Sequence, residues 1–147
     1  MHIEGERHFA ARPEDVYRAL TDPDELGAAF SAIERIEADG PDWLVVVRLP
    51  VPGGFRLKFS VHFAELREPE HGRFRAWGKS LAGRISIDST FDLARLDGGT
   101  LVHWSADVDA AGVFSGLGRQ SLAAVATRQA DRALGRIAGN LERAPTS

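Results

Sequence analysis

Five histidines, His2, His8, His62, His71 and His103, are the side chains best suited to hold a metal or move a proton near neutral pH. No two of them stand at the HxH or HxxxH spacing that would bring both imidazoles to one face of a strand or helix. His62 and His103 also fall on the polar side of alternating segments, so solvated surface histidines are expected, with no metal and no cofactor. No Gly-x-Ser-x-Gly elbow marks a nucleophilic serine, and the absence of cysteine excludes thiol catalysis, thiolate metal sites and disulfides. No catalytic residue is assigned. Three polar residues remain because they fall on otherwise apolar faces: Arg7, Ser89 and Gln129.

The faces themselves carry more information. In "GGFRLKFSVHFAEL", residues 53–66, Phe55, Leu57, Phe59, Val61 and Phe63 alternate with Arg56, Lys58, Ser60 and His62. A period of two with one greasy side is a half-buried strand. In "RISIDSTFDL", Ile85, Ile87, Phe91 and Leu93 share a side with Ser89. Val102, Trp104, Ala106 and Val108 likewise oppose His103, Ser105, Asp107 and Asp109. Trp43 shares a face with Val45 and Val47, whereas Trp77 alternates with Arg75 and Lys79 and is expected at the surface.

Around these strands the chain divides at Gly, Pro and Asp clusters. A first strand is expected over 2–10, with Ile3, Gly5, Arg7 and Phe9 on one side. "ARPEDVYRALTD" and "DPDEL" then read as two short helices ending near Ala29. Pro13 stands in the first turn of one; the other has Asp22 as N-cap and Glu25 three residues later, as in a capping box. Six strands are expected at 31–38, 42–50, 54–67, 72–80, 84–96 and 99–111, with turns at Asp39-Gly40-Pro41, Pro52-Gly53-Gly54, Glu70-His71-Gly72, Ala82-Gly83 and Asp97-Gly98-Gly99. Short connections make the neighbours antiparallel. The greasy face needs a cover, and residues 117–142 supply it. On one side of that expected helix lie Leu122, Val125, Ala126, Gln129, Ala130, Ala133, Leu134, Ile137 and Leu141.

The 147 residues suit one domain spanning 1–147. A net charge of −3, with both signs interspersed, is unlike the basic footprint of a nucleic-acid binder. No apolar run approaches the roughly 20 residues that span a bilayer. Met1 is followed by His2, Glu4, Glu6 and Arg7 rather than by an apolar leader core, so a cytoplasmic location is expected.

The order β-α-α-β6-α, an α+β arrangement of about seven antiparallel strands curled around a long C-terminal helix, resembles the helix-grip fold of the START/Bet v 1-like (SRPBCC) superfamily. Within it, "FAARPEDVYRALTDPDEL" is similar to the opening of the CoxG-like family, whose namesake belongs to carbon monoxide dehydrogenase. "GGTLVHWSADVDAAGVFSGLGRQSL" is similar to its ending. The chain departs from that pattern at Phe30-Ser31-Ala32-Ile33, where members commonly carry Ile-Pro-Gly. Many relatives also have a long tail that reaches a membrane; this sequence ends at Ser147, and anchoring is not carried over. The resemblance implies a cavity between sheet and helix for a hydrophobic ligand, lipid- or quinone-like, and a molybdenum hydroxylase as partner.

By periodicity alone the apolar walls are ordinary core. Two features favour a cavity once the resemblance is added. Ala126, Ala130 and Ala133 are small where leucine would fill the space over a curved sheet. Gln129 falls within the apolar stripe and needs a hydrogen-bond partner, whether Ser89, a carbonyl, water or ligand. The expected lining is Leu57, Phe59, Val61, Phe63, Phe74, Ile87, Ser89, Phe91, Trp104, Phe114, Val125, Gln129 and Ala133. Phe114 lies in the glycine-bearing segment 112–118, which reads as a plain strand-to-helix turn or as a gate. A carrier of a hydrophobic small molecule is the expected function. The alternatives are a polyketide cyclase or aromatase-like enzyme, for which Arg7 is the main inward ionisable group, and a protein-interaction module with a vestigial cavity.

Overall fold

The computed structural model describes residues 1–49, 54–117 and 119–143. Seven strands form one antiparallel sheet: β1 (His2–Phe9), β2 (Ile33–Asp39), β3 (Asp42–Arg48), β4 (Arg56–Arg67), β5 (His71–Ser80), β6 (Gly83–Leu96) and β7 (Gly99–Gly112). Their order, β1-β7-β6-β5-β4-β3-β2, is a meander from β2 to β7 with β1 added beside β7. Helices α1 (Pro13–Leu20) and α2 (Pro23–Ala29) follow β1, and α3 (Arg119–Arg143) follows a single 3-10 turn at Ser115–Leu117.

The expected alternation sets the two faces. On β6, Ile85, Ser89, Phe91 and Leu93 are buried on the concave side; on β7, Val102, Trp104, Ala106 and Val108 are buried beside them. Asp22 caps α2 by accepting from the backbone N–H of Asp24 (2.8 Å) and Glu25 (3.3 Å). The reciprocal half of the capping box does not form, because the Asp22 N–H donates to the Ala19 carbonyl instead. Most boundaries move by one or two residues, and two of these shifts have a visible cause. β2 starts at Ile33 rather than 31, since the Ile33 N–H closes a turn on Phe30. His71 belongs to β5, paired with Asp92, because the turn closes earlier, with the Glu70 N–H on the Arg67 carbonyl.

Helix α3 runs along β1. A Cβ added at Gly135 would lie 3.2 Å from the Arg7 guanidinium, and the Ala10 N–H donates to Glu142 at 3.4 Å. Both ascend together, so rises of about 1.5 Å per helical residue and 3.3 Å per strand residue bring Gly5 opposite roughly residue 130. The backbone of α3 runs beside β1 and α2 over its greatest length and beside α1 and the 3-10 turn over less.

Candidate functional site

The two halves of α3 meet the sheet differently. In the C-terminal half, Ala133, Leu134, Ile137 and Ala138 are buried, Ile137 completely. Opposite them Phe9, Val16 and Val102 are fully or almost fully buried, with Leu93 and Leu20 beside them. In the N-terminal half, Val125, Ala126, Gln129 and Ala130 are only half-buried, although they occupy the same stripe.

The sheet repeats this division. Val61, Phe74 and Ile87 point to the concave side yet remain half-exposed. They belong to β4, β5 and β6, which have strands on both sides. Solvent can reach such side chains only through space above the sheet, because hydrogen-bonded neighbours close every lateral route. Around them Leu57, Phe59, Phe63, Phe91 and Trp104 are buried. The floor is therefore unevenly covered: Val61, Phe74 and Ile87 are partly open, while Ala76 between two of them and Ser89 opposite Phe74 are buried.

Three glycines keep that floor low. Gly78, Gly72 and Gly5 lie directly opposite Phe59, Phe91 and Trp104 in register. A Cβ at these positions would come within 2.7, 2.2 and 2.9 Å of the opposing ring. Each aromatic ring therefore lies across the neighbouring strand instead of standing up towards α3. The floor is extended by edge contacts of Phe63 with Trp43 (4.8 Å between centroids) and by the tilted pair Phe63–Phe74 (5.8 Å).

One end is stoppered. Phe114 is completely buried, edge-on to Phe55 at 5.3 Å and seated over Gly83, whose added Cβ would meet its ring at 2.9 Å. Gly112, at φ +74°, turns the chain out of β7 in a conformation natural to glycine. The rest of the expected gate, Gly118, lies outside the described residues.

The polar atoms are distributed differently from the sequence expectation. Ser89 is buried, but its hydroxyl donates to the Ser105 carbonyl at 2.9 Å, a bond within the sheet. Gln129 forms no side-chain hydrogen bond among the described residues and stays half-exposed on the roof. Arg7 shares the inward side of β1, yet β1 is an edge strand and the side chain is exposed against Gly135, not directed over the floor. Two buried donors that went unpredicted have no partner among the described residues: the Trp104 indole N–H and the Tyr17 hydroxyl. Tyr17 packs on Phe91 with centroids 6.0 Å apart. Burial, and secondarily the charge of Glu68, pushes its phenol up, so it stays a neutral donor. A residue-type signal existed for both, since Tyr and Trp bring a polar tip into any core they fill.

All histidines lie outside this space. His62 pairs with Asp42 at 2.7 Å, and His71 bridges Asp92 (2.7 Å) and Glu65 (2.9 Å). His2 contacts Asp107 and Glu4, His103 approaches Glu4, and His8 bonds the Leu96 carbonyl. Among the described residues no three His, Cys, Asp or Glu side chains form a metal-sized cluster. Two surface depressions also stand apart from the interior. One, of about 540 Å³, is lined by Leu44, Ser60, His62 and Trp77 with Glu37, Asp39 and Asp42. The other, of about 420 Å³, lies between Pro13, the β4–β5 turn and β6.

A curved antiparallel sheet gripping a long C-terminal helix, with two short helices inserted after the first strand, is the helix-grip architecture of START and Bet v 1-like proteins. It superposes on a conserved protein from Geobacillus kaustophilus with a TM-score of 0.90, at 15% identity over 97% of this chain and 96% of that one. A START superfamily protein from Mycobacterium smegmatis gives 0.73 at 12% identity, covering 97% of each chain. Ara h 8.0201, a Bet v 1-like protein, gives 0.68 at 16% identity over 98% and 99%. No curated protein matches the sequence. The family model for the carbon monoxide dehydrogenase subunit CoxG matches residues 5–142, and the chain belongs to that family.

Proposed function

We propose that the protein binds and carries a hydrophobic small molecule between the concave face of the sheet and the N-terminal half of α3. The observation that carries this reading is that Val61, Phe74 and Ile87, in central strands, are only partly buried, as is the N-terminal half of the α3 stripe. Apolar surface left uncovered inside a fold is a binding opportunity of about 25 cal/mol for each Å² that a ligand covers. Leu57, Phe59, Phe63 and Phe91 border the ligand from the floor, Val125, Gln129 and Ala133 from the roof, and Phe114 closes the end. Ser89 is spent on its strand neighbour, so the Trp104 N–H and the Tyr17 hydroxyl are the donors with capacity for an acceptor oxygen on the ligand. A lipid- or quinone-like molecule has that form, an apolar body with a carbonyl or ether oxygen. The family takes its name from a carbon monoxide dehydrogenase subunit, which supports a molybdenum hydroxylase in the cytoplasm as the partner we expect. The chemistry needs no metal or cofactor of its own.

Native mass spectrometry of protein purified without detergent tests the reading. An apolar adduct should accompany the parent protein and be missing from Ala130→Trp, which occupies the space, and from Phe59→Asp, which puts a charge on the floor. A folded parent that carries no adduct and takes up no apolar fluorescent probe overturns it. That outcome would favour a protein-interaction module, a reading supported by the two depressions on the outside of the fold.

A further inference from the structure

The convex face of the sheet neutralises most of its charges. Arg73 grips Asp88 through two hydrogen bonds of 3.0 and 2.7 Å, Arg75 approaches the same carboxylate at 3.8 Å, and Arg48 and Arg56 share Glu34. Two groups are left over. Lys58, Lys79 and Arg84 stand side by side in register across β4, β5 and β6, and none makes an ion pair among the described residues. Diagonally across the face, at the β2–β3 turn, Asp39 lies directly opposite Asp42 in register, with Glu37 two residues along. Glu37 reaches Arg35 at 3.5 Å and Asp42 holds His62 at 2.7 Å, while Asp39 has no ion-pair partner among the described residues. Like charges set opposite one another destabilise a sheet. Strands lie about 4.8 Å apart and two residues advance about 6.8 Å, so the centres of the two groups are roughly 17 Å apart. That exceeds the Debye length of about 8 Å at physiological salt. Neither group relieves the other within one chain.

Between the two groups lies the apolar part of the face. Leu44 and Val46 on β3 and Trp77 on β5 alternate with the buried concave residues, and Trp77 is 43% exposed. Ser60 separates Leu44 from Trp77 in one register row. Its small side chain leaves a notch between two large ones, and Leu44, Ser60, His62 and Trp77 line the depression of about 540 Å³ described above.

We infer that this face binds the same face of a second copy of the chain, back to back. The two-fold axis lies in the plane of the face and runs diagonally across the strands, past Val46 and through Ser60. Such an axis exchanges the two leftover groups. Lys79 comes over Asp39 and Asp42 of the second copy, Lys58 over its Glu37, and Trp77 over its His62, at the depression; the same contacts recur on the other side of the axis. The strands of the two sheets then cross at nearly a right angle, a known way for sheets to pack. Charge complementarity selects the occupant, because the face carries both signs, separated as a two-fold requires, with an exposed tryptophan and a notch between them. Arg75 also falls near the axis, but its charge is directed to Asp88. The patch measures roughly 19 by 14 Å, at the low end of specific interfaces, so the dimer is weak, with a Kd of about 10–100 µM. The space beneath α3 opens on the other face of the sheet, and the dimer does not rest on the carrier reading.

Sedimentation equilibrium of the purified chain at low salt, up to about ten times the expected Kd, decides the matter. The parent should pass from monomer to dimer mass with rising concentration, and at least tenfold less readily in 0.5 M NaCl. Lys58→Glu/Lys79→Glu and Asp39→Lys/Asp42→Lys should each stay monomeric throughout. An equimolar mixture of these two variants should recover the dimer, since each supplies the sign that the other has lost on both sides of the axis. That recovery also shows that both variants are folded. Trp43 and Trp104 are buried, so a blue shift of tryptophan emission that follows the dimer fraction reports Trp77. A parent that remains monomeric over the whole range overturns the proposal. So does a dimer that either variant retains, or a mixture that associates no better than its components. Uptake of an apolar probe should be equal in the parent and both variants, which separates failure of the dimer from failure of ligand binding.

Discussion

Two alanines one helical turn apart on α3 have different surroundings. Ala133 is buried to 1% exposure among Ile137, Leu134 and the residues of β1 and α1; Ala130 is half-open. The same small side chain is fully enclosed in one place and only partly covered in the other. The helix is buried at its C-terminal half, near β1, α1 and α2, and is only partly covered at its N-terminal half, where the proposed ligand would lie. Stability and capacity thus occupy separate lengths of one element, and each can be altered without the other.

The sharpest way to break this contrast is the same substitution at both sites. Ala133→Trp forces a large ring into filled space, and the variant is expected to lose cooperative folding. Ala130→Trp is expected to shift the urea midpoint by the equivalent of about 1 kcal/mol or less, while apolar probe uptake disappears. Comparable loss of stability in both would mean that the N-terminal half is packed too.

Truncation gives the reverse comparison. Ile137→Ala should cost about 2–5 kcal/mol by leaving a void in a site that is wholly enclosed. Val125→Ala, half-exposed already, should cost about 1 kcal/mol or less. Chemical denaturation of the two variants in one buffer measures the difference.

Gly72→Ala probes the floor. Its Cβ would fall 2.2 Å from the Phe91 ring, so the ring must lift, at about 1–3 kcal/mol for an overpacked site. The lifted ring narrows the space beneath α3, so weaker probe uptake should accompany the loss. Gly98→Ala, where φ is +76° but no atom lies within 4 Å of the added Cβ, should lower stability without touching uptake.

Much of this was legible in the sequence because it obeys a period. The alternation of Phe55 to Phe63 and of Ile85 to Leu93 marks the concave side. The turns at Gly40 and Gly98 delimit the strands, and the nine-residue stripe on α3 is buried or half-buried throughout, as expected. What depends on partners distant in the chain was not legible. Nothing in the letters separates Ala130 from Ala133, since the difference is set by how far β1 follows the helix. Nothing in the sequence marks Gly5, Gly72 and Gly78 as the positions over which register puts a ring. The cross-strand cation row is invisible for the same reason: Lys58, Lys79 and Arg84 are neighbours only in the sheet. Ser89 and Gln129 were the natural polar candidates on apolar faces, yet Ser89 found its acceptor one strand away, and the unpaired donors belong to Trp104 and Tyr17.

The smallest expected effect concerns the packed, polar end of the molecule. His71 is largely shielded between Asp92 and Glu65, with 13% of its side chain exposed. Its hydrogen bond to Asp92 is the main cause that raises its affinity for a proton, with Glu65 adding to it. A histidine that binds its proton more tightly folded than unfolded stabilises the fold fully below the unfolded value, near pH 6.5. That contribution fades as pH rises through the elevated folded value. The urea midpoint of the parent should therefore fall between about pH 6 and pH 9, and His71→Gln should flatten that slope by the part due to this side chain. Because His71 joins the β4–β5 hairpin to β6 and does not border the space beneath α3, apolar probe uptake should keep the same pH profile in both proteins. A change in uptake that followed the His71 titration would show that the packed end and the open end are coupled, and the separation argued from Ala130 and Ala133 would fail.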